Sequence, residues 1–327
     1  MDTRIFKEIN YTKKLAVSYS QLETFLNCPL RWAKYYLLGQ GKSTDTESTE
    51  LGTQIHASIE SYCNGLNQGY EWSLGEVVDL VQDNLDKREI KFKPEDDKVI
   101  VDQHIEMAKS LFVGSKGLGK LLKQCEVVGQ EIEFNLSIEL PFEVLFNGQV
   151  YKEVILNGFI DLVLKDKETG GLIIVDHKTS KKTFTEDKLY TNYQFPIYQL
   201  VVMERYGRLP EKCYYYFTRF DELQEAPTLV YNNEDSYILK YFKSGKRKGE
   251  PKYVIKSVDM VKQELIDIFE QMYCAESLKD YPHKSTALCS WCSFSPLYGD
   301  GNYCYYAQRY IRKDIPVPRK AIKNIRT

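Results

Sequence analysis

The sequence predicts an α/β (α+β) fold, in which a sheet is flanked by helices. Residues 18–38 carry apolar side chains at helical spacing, and residues 51–125 are mainly helical in pattern. From Cys125 to Lys178 the pattern changes to alternation and short apolar runs, which indicates a mostly antiparallel start to a sheet. Helical patterns return at residues 189–207 and 257–273.

Composition limits the class of protein. The chain has 327 residues, of which 43% are hydrophobic and 28% charged, as in ordinary globular proteins. Its first residues, MDTRIFKEINYTKK, lack the apolar segment of a signal peptide, and no apolar run could cross a bilayer. We therefore expect a cytoplasmic protein with no membrane partner. In that reducing compartment, the eight cysteines are thiols or metal ligands and not a disulfide framework.

A chain of this length exceeds one typical core, so appended parts are expected. We predict four segments: an N-terminal helix with one metal-binding cysteine, a helical region with a histidine motif, a catalytic core, and a C-terminal helix with a cysteine cluster and a basic tail. Their bounds are 1–50, 51–125, 126–256 and 257–327.

Positive charge is concentrated in two blocks, although the net charge is only -2. Residues 240–256 contain seven Lys/Arg against Glu250, and residues 305–327 contain seven against Asp314, so each block carries a net +6. Aromatic residues such as Tyr253 lie among these cations. Such blocks fit a nucleic-acid backbone, although either one alone could be a solvated loop or tail.

The first helical stretch contains its own interruption. Ser20 and Glu23 match a capping box, and Pro29 should kink or divide the helix next to Cys28. A polar loop is expected at residues 41–50, after which a helix resumes with His56 in its first turns.

One motif is misleading. Gly114–Lys120, GSKGLGK, matches most of a phosphate-binding P-loop. However, Leu121 occupies the position where Ser or Thr must reach magnesium, and a helix and not a strand precedes it. We reject a P-loop and predict a helix–helix connection.

Two short apolar strands joined by a turn at residues 168–171 form the most informative stretch. Each strand carries one carboxylate, Asp161 or Asp176, and Lys178 follows on the same face as Asp176. Folding the hairpin brings the two carboxylates nearly opposite each other, and burial should raise at least one pKa. A divalent cation would remove this repulsion, so the pattern predicts a hard-metal site beside a lysine.

The flanking elements offer further side chains. The preceding strand alternates, with Glu131 and Glu133 on one side, and a helix after the hairpin places Gln194 and Tyr198 four residues apart on one face. Gly207 should end that helix. Strands are predicted at KCYYYFTRF and, at an edge, at PTLVY, and the basic residues 240–256 are predicted to form a loop.

The last pattern is a cysteine knuckle. Cys289 and Cys292 form C-x2-C, and Cys304 follows. Cys28 can supply a fourth thiolate if the two ends of the chain meet. Zn²⁺ and a [4Fe–4S] cluster both accept four thiolates, so the residues leave the metal open.

Together these motifs resemble the RecB-type branch of the PD-(D/E)XK nuclease superfamily, and within it the iron–sulfur members, such as CRISPR-associated RecB-like exonucleases and the AddB nuclease domain. The matching residues are SxSQLETFxxCP at Ser18–Pro29, GTxxH at Gly52–His56, GFID at Gly158–Asp161, VDHKT at Val175–Thr179, QxxxY at Gln194–Tyr198 and the terminal cysteines. The resemblance implies a restriction-endonuclease-like core with a central mixed sheet flanked by helices.

The resemblance also implies roles for individual residues. His56, Asp161 and Asp176 would bind catalytic Mg²⁺ or Mn²⁺, and the His177 backbone carbonyl would add an oxygen. Lys178 would orient or activate the attacking water, and Glu131 would correspond to an acidic position on the first core strand. Gln194 and Tyr198 would contact DNA or brace the site.

For the cysteines, the resemblance favours a [4Fe–4S] cluster over Zn²⁺, held by Cys28, Cys289, Cys292 and Cys304. The gap before Cys304 is long for such a cluster, and Cys274 is the substitute ligand. The expected function is a metal-dependent DNA nuclease, an exonuclease acting on single-stranded or duplex ends in DNA repair, recombination, CRISPR or phage DNA metabolism. Any motor would come from a helicase or recombination partner. The alternatives are a non-catalytic nucleic-acid-binding accessory protein and a zinc-ribbon interaction module.

Overall fold

The structure is a computed structural model, which describes residues 7–9, 14–40, 46–146, 149–231, 237–278, 280–284, 289, 292, 294 and 304. The predicted basic tail at residues 305–327 lies outside the described residues. The chain forms two units. The first comprises residues 1–44, 137–157 and 263–327, and the second comprises residues 45–136 and 158–262. The long strands β3 (Cys125–Phe146) and β4 (Gln149–Asp166) contribute residues to both.

The first unit begins with two short strands followed by helices. Its elements are β1 (Lys7–Ile9), β2 (Lys14–Ser18), α1 (Tyr19–Asn27), α2 (Pro29–Trp32), a π-helical turn (Ala33–Leu37) and most of α9 (Val258–Leu278). β2 pairs antiparallel with β1 and parallel with β4, from Leu15↔Val154 to Ser18↔Asn157. Phe25 and Trp32 pack edge-to-face with ring centroids 5.1 Å apart, inside this unit's core.

The first helix differs in detail from the prediction. Its N-cap residue is Ser18, two residues before the predicted Ser20, because the Ser18 side chain accepts a hydrogen bond from the Gln21 backbone N–H (3.2 Å). The predicted capping box of Ser20 and Glu23 is therefore wrong. The predicted break is confirmed: extended backbone at Cys28 separates α1 from α2, with Pro29 at the first helical position.

The second unit contains the helical region. Its helices here are α3 (Glu47–Asn67), α4 (Leu74–Asp86), α5 (Pro94–Val113) and α6 (Gly117–Gln124). α3 begins inside the predicted polar loop, because Thr46 and Thr49 form a reciprocal capping box. The buried faces of α3 to α6 share one apolar cluster with the sheet, which includes Leu51, Ile55, Leu162 and Val175.

The rejected P-loop motif joins two helices, as predicted. Gly114 ends α5 with φ 61°, and the rest of the motif enters α6. A Cβ at Gly119 would lie 2.5 Å from the Ser110 carbonyl oxygen, so this glycine allows close packing of α6 on α5. The glycines therefore serve helix contacts and not phosphate binding.

The sheet of the second unit is mixed. Its order is β4, β5 (Leu172–Lys178), β6 (Lys212–Phe217) and β7 (Glu222–Ala226). β4 and β5 are antiparallel, β5 and β6 parallel, and β6 and β7 antiparallel. The edge strand was predicted at PTLVY, which is wrong, since Val230 makes only an isolated bridge to Ser257. The edge strand is β7, which was not predicted because its sequence, ELQEA, is mostly charged and polar.

The second unit also contains two helices after β5, a β-hairpin and the start of α9. The predicted helix 189–207 is two helices, α7 (Glu186–Thr191) and α8 (Gln194–Tyr206), and Gly207 ends α8 with φ 73° as predicted. The predicted basic loop is a β-hairpin of β8 (Tyr237–Tyr241) and β9 (Pro251–Ile255). The helical pattern at 257–273 is confirmed by α9. None of the helices in the described residues is long and apolar enough to cross a membrane.

Candidate active site

The β4–β5 hairpin places two carboxylates at the end of its ladder. The pairing runs from Lys165↔Leu172 to Leu162↔Val175, and Asp161 and Asp176 are the next residues on the two strands. The turn closes with Gly170 at φ 74°, a conformation that favours glycine. The predicted antiparallel hairpin with nearly opposed carboxylates is confirmed.

Asp161 is held by the backbone of the opposite strand. Its Oδ2 accepts a hydrogen bond of 2.7 Å from the His177 N–H. Burial raises the pKa of Asp161, and the charge of Asp176 raises it further, although His56 and Lys178 oppose this. The prediction that burial would raise a carboxyl pKa in the hairpin is therefore confirmed.

Asp176 is almost completely buried, with 1% of its surface exposed. Lys178 Nζ lies 2.5 Å from Asp176 Oδ2, which confirms that the two side chains share a face of β5. The Gln194 side-chain amide donates to Asp176 Oδ1 at 2.7 Å. Asp176 is therefore oriented by a cation and a neutral donor, one on each oxygen.

His56 reaches the hairpin from α3. Leu51 and Ile55 lie on the buried apolar face of this helix, and His56 lies at the edge of that face. Its Nδ1 lies 3.6 Å from Glu131 Oε1 and 3.7 Å from Asp161 Oδ2. Burial lowers the pKa of His56, but the surrounding carboxylates outweigh burial and raise it to about 9.

Glu131 enters the site through an unusual backbone conformation. Its φ is 43°, in the left-handed region that non-glycine residues rarely adopt, within strand β3. Burial alternates from Ile132 onwards, as predicted, but the two carboxylates predicted on one side of the strand differ in their surroundings: Glu131 is half-buried beside His56 and Glu133 is exposed. Strain of this kind persists where the surrounding structure fixes it, and it often marks functional sites.

Three side chains form a group suited to a metal ion. One ligand atom from each of His56, Glu131 and Asp161 lies within 4.8 Å of the other two. Two carboxylates and one imidazole suit Mg²⁺ or Mn²⁺. Asp176, predicted as a ligand, lies outside this group of three, and its nearest partners are Lys178 and Gln194.

The His177 backbone carbonyl lies next to His56. Its oxygen is 3.2 Å from His56 Nε2, an arrangement in which Nε2–H donates to the carbonyl. A carbonyl partner on one ring nitrogen leaves the other nitrogen available, and metal-binding histidines are commonly oriented in this way. The His177 ring itself is buried, and burial holds its pKa well below the usual range. Its side chain is therefore neutral.

Gln194 and Tyr198 lie on one face of α8, as their spacing predicted. The Gln194 amide also lies 3.0 Å from the Tyr198 hydroxyl, and both residues are buried. The Asn192 side chain, which precedes the N-cap residue Tyr193, accepts a hydrogen bond from the Gln194 N–H at 2.6 Å. Gln194 is thus fixed at the first turn of the helix, where it meets Asp176.

Sequence reasoning missed the residues behind Lys178. The Thr218 N–H donates to the Lys178 carbonyl at 3.0 Å, and the Thr218 hydroxyl lies 3.0 Å from Nε2 of the buried His104. His104 Nδ1 donates to the Ile100 carbonyl at 2.7 Å. No local pattern identified these residues, since Thr218 is 40 residues from Lys178 and 114 residues from His104 in the sequence.

The predicted cluster cysteines all lie in the first unit. The Cys292 N–H donates to the Cys289 carbonyl (3.3 Å), and the Cys304 N–H donates to the Phe294 carbonyl (2.8 Å). Burial raises the pKa of Cys292, and Cys304 and Cys28 raise it further, so these three thiols are close enough to interact. Cys274, the substitute ligand, is exposed near the end of α9.

The segment around Cys28 contacts the segment around the later cysteines. The Leu30 N–H donates to the Pro282 carbonyl (3.3 Å), and Lys284 Nζ donates to the Leu26 carbonyl (2.6 Å). Residues 26–30 are therefore in contact with residues 282–284. No three of the four sulfur atoms lie within 4.8 Å of one another.

The mixed sheet flanked by helices, with two carboxylates and a lysine at the end of one hairpin, defines a restriction-endonuclease-like α/β fold. The profile of the PD-(D/E)XK nuclease superfamily matches residues 16–297. The chain therefore belongs to the PD-(D/E)XK nuclease superfamily. A search of curated proteins found no match.

Proposed function

We propose that this protein is a metal-dependent DNA exonuclease of the RecB-type, iron–sulfur branch of the superfamily. The observation that carries the proposal is the group formed by His56, Glu131 and Asp161, whose ligand atoms lie within 4.8 Å of one another beside the Asp176–Lys178 pair. Membership of a nuclease superfamily supports phosphodiester hydrolysis as the reaction. DNA as the substrate and action from ends are parts of the proposal.

The donor atoms fit one or two hard divalent cations. His56 Nδ1 and the Glu131 and Asp161 carboxylates would hold Mg²⁺ or Mn²⁺, with Asp176 adding an oxygen when its contact with Lys178 opens. When bound, such a cation lowers the pKa of water and neutralises charge on the phosphate. The His177 carbonyl accepts a hydrogen bond from His56 Nε2–H, so a cation would bind at Nδ1 in place of the proton that the neighbouring carboxylates favour there.

The remaining side chains act on the nucleophile and on the site's geometry. Lys178 provides a positive charge next to Asp176, where it would orient the attacking water and stabilise negative charge in the transition state. Gln194 holds Asp176 Oδ1 and is held in turn by its contact with Tyr198. These two residues preserve the carboxylate's orientation from the side of α8.

The test is digestion of matched linear and circular DNA. End-labelled linear DNA and covalently closed circles are incubated with the protein in Mg²⁺, in Mn²⁺ and in EDTA. We expect release of label from linear DNA with either metal, intact circles, and no cleavage in EDTA. Asp176→Ala should lose cleavage, whereas the exposed Asp79→Asn variant should retain it. Cleavage by Asp176→Ala would refute the assigned site, and cleaved circles would refute exonuclease action.

For the cysteines, we propose a [4Fe–4S] cluster held by Cys28, Cys289, Cys292 and Cys304. The electrostatic influence of Cys28 and Cys304 on Cys292 supports a shared site. The choice of [4Fe–4S] over Zn²⁺ rests on the resemblance of the motifs to the iron–sulfur branch of the superfamily.

The cluster is proposed to be structural. It would fasten the end of α1 to the segment that carries the C-x2-C pair. Freshly purified protein should be brown and contain about four irons per chain, and Cys289→Ser should reduce folding and solubility before it affects chemistry. Cys63→Ser, at a buried cysteine of the second unit, controls for the loss of a thiol alone. A colourless protein with one zinc per chain would refute the cluster.

A further inference from the structure

The positively charged block at residues 240–256 is an ordered β-hairpin. β8 and β9 pair from Tyr237↔Ile255 to Tyr241↔Pro251, with an irregularity near Lys240. The connection closes on itself, because the Phe242 N–H donates to the Glu250 carbonyl and the Gly249 N–H donates to the Phe242 carbonyl, both at 3.0 Å. We call residues 237–255 the basic hairpin and residues 242–250 its tip.

The base of the basic hairpin is fixed to α7. Lys252 Nζ lies 3.1 Å from Asp187 Oδ1, and Lys240 pairs with Glu186. The rings of Tyr190 and Tyr253 stack with centroids 4.6 Å apart and an interplanar angle of 18°. The cations at the base therefore already have acidic partners, and they hold the hairpin in place.

The tip differs from the base. Lys243, Lys246 and Lys248 are exposed, and among the described residues no carboxylate lies within ion-pair distance of them. Arg247, by contrast, pairs with Glu250 at 2.7 Å and lies over the Phe242 ring. The tip thus presents three cations with no acidic partner in the part of the chain that the structure describes, on a backbone that turns at Gly245 (φ 80°) and Gly249 (φ 86°).

An exposed aromatic ring borders this charge. Tyr241, the last residue of β8, is 52% exposed. An aromatic side chain of this size beside cations is the combination on which unpaired bases stack while lysines contact the phosphates. Scattered surface lysines alone would not provide that ring.

The basic hairpin is linked to the candidate active site within the same unit. Lys256, directly after β9, lies over the ring of Tyr193 with Nζ 5.0 Å from the centroid. The next residue, Gln194, donates to Asp176. The base of the basic hairpin therefore contacts the residue that precedes Gln194 at the start of α8.

We propose that the tip of the basic hairpin binds single-stranded DNA: Lys243, Lys246 and Lys248 contact phosphates and Tyr241 stacks on an unpaired base. This proposal rests on the proposed nuclease function, since it assigns the surface that delivers a strand to that site. The base of the hairpin positions the tip and makes little direct contact with DNA, because its cations are neutralised by α7.

Binding can be tested separately from cleavage. In an Asp176→Ala background, fluorescence anisotropy measures the affinity for a labelled oligothymidine at several salt concentrations. The triple variant Lys243→Gln/Lys246→Gln/Lys248→Gln should bind about 10- to 100-fold more weakly at low salt. Its slope of log K against log salt should fall by about 2, since each single-strand phosphate contact contributes about 0.7. Unchanged affinity and slope would overturn the proposal.

A matched control removes the same charge elsewhere in the unit. Lys91→Gln/Lys93→Gln/Lys98→Gln changes three exposed lysines near the start of α5, and it should retain the wild-type slope. An equal loss in this control would overturn the proposal, because net charge and not the tip would then govern binding. Thermal unfolding of both triple variants checks that each is folded.

Two further measurements test the kind of ligand. Tyr241→Leu should weaken binding of single-stranded DNA several-fold and leave duplex binding unchanged, and equal losses on both would overturn base stacking. Equal or tighter binding to anionic phospholipid vesicles would also overturn the proposal.

With the catalytic carboxylate intact, the tip variant should raise KM for DNA more than it lowers kcat. Normal DNA binding without cleavage would instead count against the nuclease function and leave the tip assignment standing.

Discussion

The peptide group of His177 connects Asp161 to His56: its N–H donates to Asp161 Oδ2 at 2.7 Å, and the carbonyl of the same residue lies 3.2 Å from His56 Nε2. One residue of β5 thereby orients a carboxylate from β4 and an imidazole from α3. Both side chains are aligned before any cation binds, which lowers the cost of ordering them on binding.

The first prediction concerns Asp161→Asn. The amide keeps the acceptor for the His177 N–H but removes a buried negative charge that Asp176 repels. We expect the free energy of unfolding in EDTA to rise by about 1–3 kcal/mol, because a buried charge in an unfavourable environment is lost. We expect Mn²⁺ affinity to fall by about 100-fold.

Urea unfolding in EDTA and calorimetric Mn²⁺ titration measure these two effects. Asp79→Asn, on the exposed face of α4, should change neither quantity. A variant that is less stable and still binds Mn²⁺ normally would contradict the assigned role of Asp161.

The second prediction concerns the backbone of Glu131. At φ 43° a glycine is less strained than glutamate, so Glu131→Gly should be more stable than Glu131→Gln by about 1 kcal/mol. Both variants should lose most Mn²⁺ affinity, since both lack the carboxylate. Glu133→Gly is the control: no left-handed φ is found at this neighbour, and glycine there should destabilise the strand. Equal effects of glycine at both positions would contradict strain at Glu131.

These residues illustrate what the sequence could predict. The apolar runs around Asp161 and Asp176 and the Gly-Gly turn fixed the hairpin and its register, because side chains alternate on strands and turns need glycine. Helical periodicity located α3, α8 and α9, and the end of α8 at Gly207 followed from its C-cap. The resemblance of the ordered motifs to the nuclease superfamily then predicted that His56 lies beside the hairpin.

The failures have physical causes. The conformation of Glu131 depends on tertiary contacts, and no local signal predicts a left-handed residue within a strand. Charge dominated the pattern at residues 240–256 and concealed the strands of the basic hairpin, whose aromatic contacts are with α7. The β7 edge has the sequence ELQEA, which has little β-propensity and forms through pairing with β6.

The third prediction separates the role of Lys178 from metal binding. Lys178→Met keeps most of the side chain's length and removes the charge 2.5 Å from Asp176 Oδ2. We expect kcat to fall by about 100- to 1,000-fold, because a preorganised charge near the nucleophile is lost. Mn²⁺ affinity should change by less than about 10-fold. Single-turnover cleavage and calorimetry measure the two quantities.

Lys181→Met, at an exposed lysine three residues further on, is the matched control and should retain activity. A loss of Mn²⁺ binding in Lys178→Met as large as its loss of kcat would show that the lysine orders the ligands and does not act on the chemical step.

The fourth prediction is a pH dependence that arises from His104. Burial, together with the charges of Arg219 and Arg88, lowers the pKa of this histidine to about 4, although the Ile100 carbonyl opposes this. Because the unfolded chain takes up the proton near pH 6.5, the stabilising contribution of the neutral ring is complete above that pH. It is lost as the pH falls from about 6.5 to about 4, by on the order of 3 kcal/mol.

Urea unfolding between pH 7.5 and pH 4.5 tests this dependence, and the His104 ring signals in an NMR titration report its pKa directly. His104→Gln should show a smaller loss of stability across this range than the wild type. Thr218→Ala removes the hydroxyl 3.0 Å from Nε2 but leaves the ring buried, so it should lower stability by about 1–3 kcal/mol and retain the pH dependence. If His104→Gln and the wild type lost stability in parallel, the protonation of His104 would not be the cause. The pKa of His104 would then be similar in the folded and unfolded chains.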